Sequence, residues 1–262
     1  MKFSVLLPVH DKINALDFKK SIKSILSNSL KPTEIIIIVD GKIDLTKKSF
    51  LKFLSKKHKI FKVYYKKKIG LTKALNFGLN ICENELIFRA DADDFNKHNR
   101  FKIQLNYMKK YKLDVLGSQI SEKYKSKKII KRIIIKPNFV NYILRNPINH
   151  MTVLYKKSKI LKIGGYPDIP YKEDYALWLK CYFSGLKIKN IKRPLVDCEI
   201  DESFFQRRSN IKSILSEISL FIYSFKINPA LLIMLIPILL RCIILIMPRQ
   251  FFKLFFLKIL RK

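Results

Sequence analysis

The sequence predicts an α/β protein: an open, mostly parallel sheet with helices on both faces, followed by a helical, membrane-associating C-terminal segment. Three observations carry this. Strand-length runs of continuous apolarity recur through the first half of the 262-residue chain, as expected of strands buried on both faces. Helical patterns separate those runs, the rhythm of right-handed βαβ crossovers. Near the C-terminus the chain turns to long apolar stretches flanked by Lys and Arg.

In chain order, "FSVLLPV" (Phe3 to Val9), "EIIIIVD" (Glu34 to Asp40), "FKVYY" (Phe61 to Tyr65) and "ELIFRAD" (Glu85 to Asp91) are the expected strands. Helices are expected at "ALDFKKSIKSILSNS", with Leu16, Ile22, Ile25 and Leu26 near one face, and at "GLTKALNFGLNICE", with Leu71, Leu75, Leu79 and Cys82. Ligands of such sheets bind at the carboxyl edge, where Asp11, Asp40 and Asp91 fall. From about Asn138 shorter mixed elements are expected, including a helix over "EDYALWLKCYFSG" that stops at Gly185. Residues 1–205 are read as the catalytic domain and 206–262 as the membrane-associating segment. Within the latter, Asn228 to Pro248 is nearly long enough to span a bilayer, but Pro237 and Arg241 interrupt it. An embedded or interfacial segment is therefore expected, a single crossing being the alternative, with "RQFFKLFFLKILRK" as an interfacial helix.

The formal net charge of +33, from 53 Lys and Arg against 20 Asp and Glu, points to anionic partners: phosphorylated small molecules, a membrane surface or nucleic acid. A solvated basic surface is the alternative. Cys82, Cys181, Cys198 and Cys242 stand far apart without C-x-x-C spacing, which argues against a disulfide framework or zinc knuckle and fits a reducing compartment. "FSVLLPVH" is too short in its apolar run to act as a secretory leader.

Against this basic background, "ELIFRADADDFN" concentrates Asp91, Asp93 and Asp94 at a strand end. Carboxylates so close repel unless a cation or proton resolves the conflict, and hard oxygen ligands suit Mg²⁺ or Mn²⁺ with positions left for substrate phosphates. Alternatively, Asp93 and Asp94 cap the helix that follows.

Together, "SVLLPVHD", "IIIIVDGKID", "KKIGLTKALNFGLNICENELIFRADADD" and "KEDYALWLKC" resemble, over roughly residues 3 to 200, the family 2 glycosyltransferases of the Rossmann-like GT-A fold. "RFKIQLNYM", "RNPINHMTVLYKKS", "GGY" and "EDYALW" are similar to the bacterial enzymes of exopolysaccharide, capsule and O-antigen assembly, of the amylovoran-biosynthesis type. The resemblance implies a nucleotide-diphosphate sugar donor, by default a UDP-hexose, and an inverting, metal-dependent transfer. Pro8 and Val9 would frame the base and Asp40 the nucleoside. Asp91 would lie near the ribose and metal, Ala92 would belong to the nucleotide-sugar site, Asp93 would ligate the metal on the diphosphate, and Asp94 would either join it or only support the turn. Asp174, with Glu173 beside it, matches the general base that takes the acceptor's proton. The alternative for that pair is a favourable charge at a helix N-terminus. Val39 replaces the first of two consecutive aspartates common in the family, which puts the base contacts in doubt.

His150 is a candidate for phosphate or acceptor, against a structural role. Arg207 and Arg208 are candidates for diphosphate, against a solvated turn. Trp178 reads as core. The implied acceptor is a saccharide on a polyprenyl diphosphate carrier, at the cytoplasmic face of a bacterial inner membrane with an anionic surface. A nucleotidyltransferase is disfavoured because "PVHDKINA" lacks a phosphate-binding glycine loop. A non-catalytic nucleic-acid- or membrane-binding protein leaves the aspartates unexplained, and no nucleic-acid partner is expected.

Overall fold

The computed structural model describes residues 1–124, 127–130, 134–200, 202, 205 and 210–255. Four strands, β1 (Ser4–His10), β2 (Glu34–Asp40), β3 (Phe61–Lys66) and β4 (Leu86–Arg89), form a parallel half-sheet in the order β3-β2-β1-β4. Their connections are the helices α1 (Ala15–Leu26), α2 (Leu45–Lys57) and α3 (Leu71–Ile81). The continuous apolarity of β1 and β2 has a direct cause. Val5, Leu7, Val9, Ile35, Ile37 and Val39 enter the core under α1 and α2, while Leu6, Ile36 and Ile38 enter the opposite core under α3. Asn14 caps α1 through Oδ1 to the Leu16 amide at 2.8 Å, and Asp44 caps α2 through Oδ1 to the Lys47 amide at 2.8 Å. On α3, Gly78 lets the helix approach β1 closely: a Cβ there would stand 2.2 Å from Leu6 Cδ1.

Past β4 the sheet becomes mixed. The two-residue β5 (Phe95–Asn96) and α4 (Arg100–Tyr111) lead into β6 (Val115–Tyr124), onto which β7 (Lys127–Ile130) folds back antiparallel. After α5 (Phe139–Leu144), β8 (Leu154–Lys156) inserts antiparallel between β4 and β6. The helices α6 (Lys157–Lys162) and α7 (Glu173–Phe183) precede β9 (Ile188–Ile200), which runs parallel to β6 and carries β5 at its far edge. α7 ends as expected, with Gly185 following at φ +71°. The 13-residue β9 departs from the short elements expected after Asn138. Its Lys, Arg and Pro194 interrupt the apolar pattern, and the ladder absorbs them with register shifts opposite Ser118, Gln119 and Ile120.

The last described elements are α8 (Ile211–Ile227), a 3-10 turn (Pro229–Met234), α9 (Leu235–Ile246) and α10 (Arg249–Phe255). Leu220, Leu231, Met234 and Ile238 share one core with Tyr175 and Trp178 of α7. Pro237 does not break α9, because it sits in the first turn, where a backbone N–H has no helical partner to lose. Pro229–Ile246 is 18 residues of mean hydropathy 2.7, long and apolar enough by composition to cross a membrane.

Candidate active site

The carboxylate cluster stands where β4 runs out. The Ala90 amide still bonds the Leu6 carbonyl of β1 at 3.1 Å, and Ser21 Oγ of α1 holds the Asp91 carbonyl at 2.8 Å. Backbone fixed on both sides then presents Asp91, Asp93 and Asp94 with ligand oxygens within 4.8 Å of one another. Asp93 is exposed, Asp91 half-buried and Asp94 buried. The helix-cap alternative does not hold, since the next helix starts at Arg100 after Asn99. Asp94 Oδ2 is buried with no hydrogen-bond partner, and burial, reinforced by the charges of Asp91 and Asp93, pushes the carboxyl well above its usual range. An orphaned buried oxygen inside three crowded carboxylates fits a hard divalent cation, which would supply the missing partner and relieve the repulsion.

Two buried arginines hold this corner. Arg89, the last residue of β4, pairs with Asp91. Arg100 of α4 donates to the Arg89 carbonyl at 2.7 Å and to Gln104 Oε1 at 3.0 Å, and Gln104 in turn donates to the carbonyls of Leu116 at 3.1 Å and Thr152 at 2.8 Å. Burial lowers the Arg100 pKa to about 9, with Asp94 opposing the fall. α4, β4, β6 and the turn before β8 are thereby tied to one point.

Along the parallel edge, Pro8 pairs with Ile38, Val9 with Val39 and His10 with Asp40. Val9 and Ala92 are buried side chains, so any ligand contact they make is through the main chain. Asp40 accepts from the Ile69 and Gly70 amides at 2.6 and 3.0 Å, which fastens the turn into α3 where Gly70 takes φ +88°. Beside it, the buried Lys47 ammonium bonds the Asp11 carbonyl at 2.8 Å and Asp44 at 2.8 Å, bracing the loop after β1.

The second acidic pair opens α7. Asp174 Oδ2 accepts from Asn146 Nδ2 at 2.7 Å and Oδ1 from the Tyr175 amide at 2.7 Å. Glu173 is buried, and desolvation together with the neighbouring Asp174 charge raises its pKa to about 8, with Arg89 pulling the other way. His150 bonds the Tyr166 hydroxyl at 3.0 Å beside Trp178, and burial plus the Arg89 charge keep the imidazole neutral well below its usual pKa. The charge of Arg89 acts on Asp94, His150 and Glu173 alike. Arg207 and Arg208 lie outside the described residues. Sequence reading missed Arg89, Arg100 and Asn146; the Arg in "FRADADD" was the visible signal for the first.

This half-parallel, half-mixed sheet is the GT-A fold. It superposes on S. aureus TarS 1–349 with a TM-score of 0.69 at 17% identity, covering 92% of this chain and 71% of that one. Against the mannosyltransferase PcManGT from Pyrobaculum calidifontis, in complex with GDP-Man and Mn²⁺, the TM-score is 0.66 at 13% identity, covering 93% and 73%. The chain belongs to glycosyl transferase family 2, which residues 4–162 match. It is 37% identical over 232 residues, 87% of this chain and 84% of the relative, to an Escherichia coli UDP-Gal:α-D-GlcNAc-diphosphoundecaprenol β-1,3-galactosyltransferase. It is 30% identical over 223 residues, 84% of each chain, to the amylovoran biosynthesis glycosyltransferase AmsE of Erwinia amylovora.

Proposed function

We propose that this enzyme transfers a hexose, with UDP-galactose the first donor to test, to a sugar carried on polyprenyl diphosphate, with inversion, in the assembly of a bacterial surface polysaccharide. The observation that carries the reading is the cluster of three carboxylates where β4 ends, with a second acidic pair in the first turn of α7. Similarity to the galactosyltransferase over most of both chains supports the donor and the lipid-linked acceptor.

In this reading Asp40 orders the nucleoside edge, and Pro8 and Val9 form its floor. Asp91, Asp93 and Asp94 would hold Mn²⁺ or Mg²⁺, which when bound supplies Lewis-acid stabilisation of the leaving diphosphate. Asp174, aimed by Asn146, accepts the proton of the attacking acceptor hydroxyl, and one displacement with one base inverts the anomeric carbon. Glu173, protonated at neutral pH, holds no second negative charge against that base. In the same reading, residues 1–205 form the catalytic domain and 206–262 the membrane-associating segment. The outward faces of α8, the 3-10 turn and α9 support it: Ile218, Ile222, Leu232, Ile236, Leu239 and Ile243 are exposed. We place them against the anionic cytoplasmic face of the inner membrane, where each nearby Lys or Arg adds about 1 kcal/mol of attraction.

The test is transfer from UDP-galactose, UDP-glucose and UDP-GlcNAc to a GlcNAc-diphospholipid, with Mn²⁺ and with chelator. Metal-dependent galactose transfer with a β-linked product is expected. A product that retains the donor's configuration would sink the inverting mechanism, and activity with another donor alone would reassign the sugar. For the membrane assignment, high salt should release the chain only partly and detergent fully. Full release by salt argues against apolar seating.

A further inference from the structure

α9 carries one charged residue among apolar neighbours, Arg241, and it points inward. Its Nε donates to Glu217 Oε2 of α8 at 3.0 Å, its Nη1 to the Leu144 carbonyl at the end of α5 at 3.0 Å, and its guanidinium carbon lies 5.9 Å from the Tyr175 ring. Glu217 is 1% exposed, and its other oxygen takes the ammonium of Lys172. A buried carboxylate is tolerated when both oxygens meet cations, and both do. An arginine in so apolar a helix is costly unless it has partners inside the protein.

Those partners are not scattered. Lys172 and Tyr175 flank Glu173 and Asp174, and Leu144 stands two residues before Asn146, whose amide holds Asp174. We infer that Glu217 and Arg241 are positioning residues for the acceptor-side base, so that the apolar helices are mechanically tied to the geometry of Asp174. The inference rests on the reading of Asp174 as base. It assigns the C-terminal helices a share in turnover besides attachment. A neutral residue at 241 would leave Glu217 with one cation, Leu144 without its donor and the first turn of α7 without its stacking partner.

The test uses the full chain in detergent with UDP-galactose, Mn²⁺ and a short-chain GlcNAc-diphospholipid, comparing Glu217→Gln, Arg241→Met and Asp174→Asn with the parent. Expected for the first two is a roughly tenfold lower kcat with KM for UDP-galactose within about twofold, as for misaimed general-base catalysis. Backbone hydrogen exchange, which needs no substrate, should quicken at 144–146 and 172–176 while β1 and β2 stay protected. Arg241→Met keeps the test alive if Glu217→Gln does not fold. Parental kcat and parental exchange in both variants overturn the inference. So does a uniform rise in exchange that includes β1 and β2, since it makes the contacts merely structural. If Asp174→Asn is inactive while both brace variants are unaffected, the brace alone is wrong; if Asp174→Asn turns over normally, the base assignment and the brace fall together.

Discussion

The parallel half of the sheet and the mixed half solve different problems. In the parallel half, strand ends place the site: β1, β2 and β4 end at one edge, and the side chains of Ser21, Lys47 and Asp40 fasten the loops there by bonding main-chain groups. In the mixed half, side chains from distant segments hold the candidate base: Asn146 grips Asp174, Lys172 and Arg241 meet on Glu217, and Arg241 reaches back to Leu144. The family match covers 4–162, which takes in the first arrangement and stops before α7. A donor site made by strand ends survives much sequence change, because the edge persists whatever the side chains. A base aimed by a side-chain network depends on each member.

The largest expected effects fall on the two acidic groups, and the first breaks the parallel half's part in the comparison. Asp93→Ala should lower transfer on the order of 10³-fold and abolish stimulation by Mn²⁺, since several kcal/mol of charge stabilisation are lost with a metal ligand. Steady-state rates across a Mn²⁺ titration check it, and a variant still stimulated by metal would move the ligand to Asp91 and Asp94. On the other side, Asp174→Asn should cost about 10² to 10⁴-fold in kcat while nucleotide affinity, measured by calorimetry, stays near the parent's. A fall in affinity instead would erase the division between a donor half and an acceptor half.

Glu173 sharpens the comparison through pH. Its folded pKa of about 8 lies above the ordinary 4.5, so between those values the native state keeps a proton that the unfolded chain has lost. Stability contributed by this group is present at acid pH and declines as pH rises toward about 8. Glu173→Gln should remove that decline, a difference on the order of 3 kcal/mol between about pH 5 and about pH 8 by denaturant titration. Identical slopes in parent and variant would mean that the carboxyl ionises normally. The smallest effect is again in the parallel half: Gly78→Ala drives a methyl into Leu6 and should cost about 1 to 3 kcal/mol without changing KM. A neutral outcome would show that α3 can shift off β1 without disturbing the donor edge.

Much of the parallel half was legible because its signals are local. Uninterrupted runs such as "EIIIIVD" mark strands buried on both faces, and Asp91, Asp93 and Asp94 are adjacent in sequence, so their cluster needs no folding to be seen. β9 was not legible, because its pairing with β6 depends on bulges that let Pro194 and charged residues enter a ladder. Arg89 was visible in "FRADADD" but its reach was not, since its charge acts on Asp94, His150 and Glu173 only once the chain has folded. Pro237 and Arg241 looked like interruptions of an apolar run. Which turn of a helix a proline occupies, and which way an arginine faces, are three-dimensional facts.

By itself the sequence determined the α/β class, the strands of the parallel half, the carboxylate-rich edge and the apolar character of the C-terminal helices. Hydrophobic periodicity and the mutual repulsion of adjacent charges are properties of neighbours along the chain, and they do not wait for a fold. Only the tertiary structure decided that Asp94 Oδ2 is buried without a hydrogen-bond partner, that burial raises the Glu173 pKa, and that Arg241 reaches both Glu217 and the Leu144 carbonyl. Each of these depends on desolvation or on contacts between segments tens of residues apart, and burial, unlike composition, is created by packing.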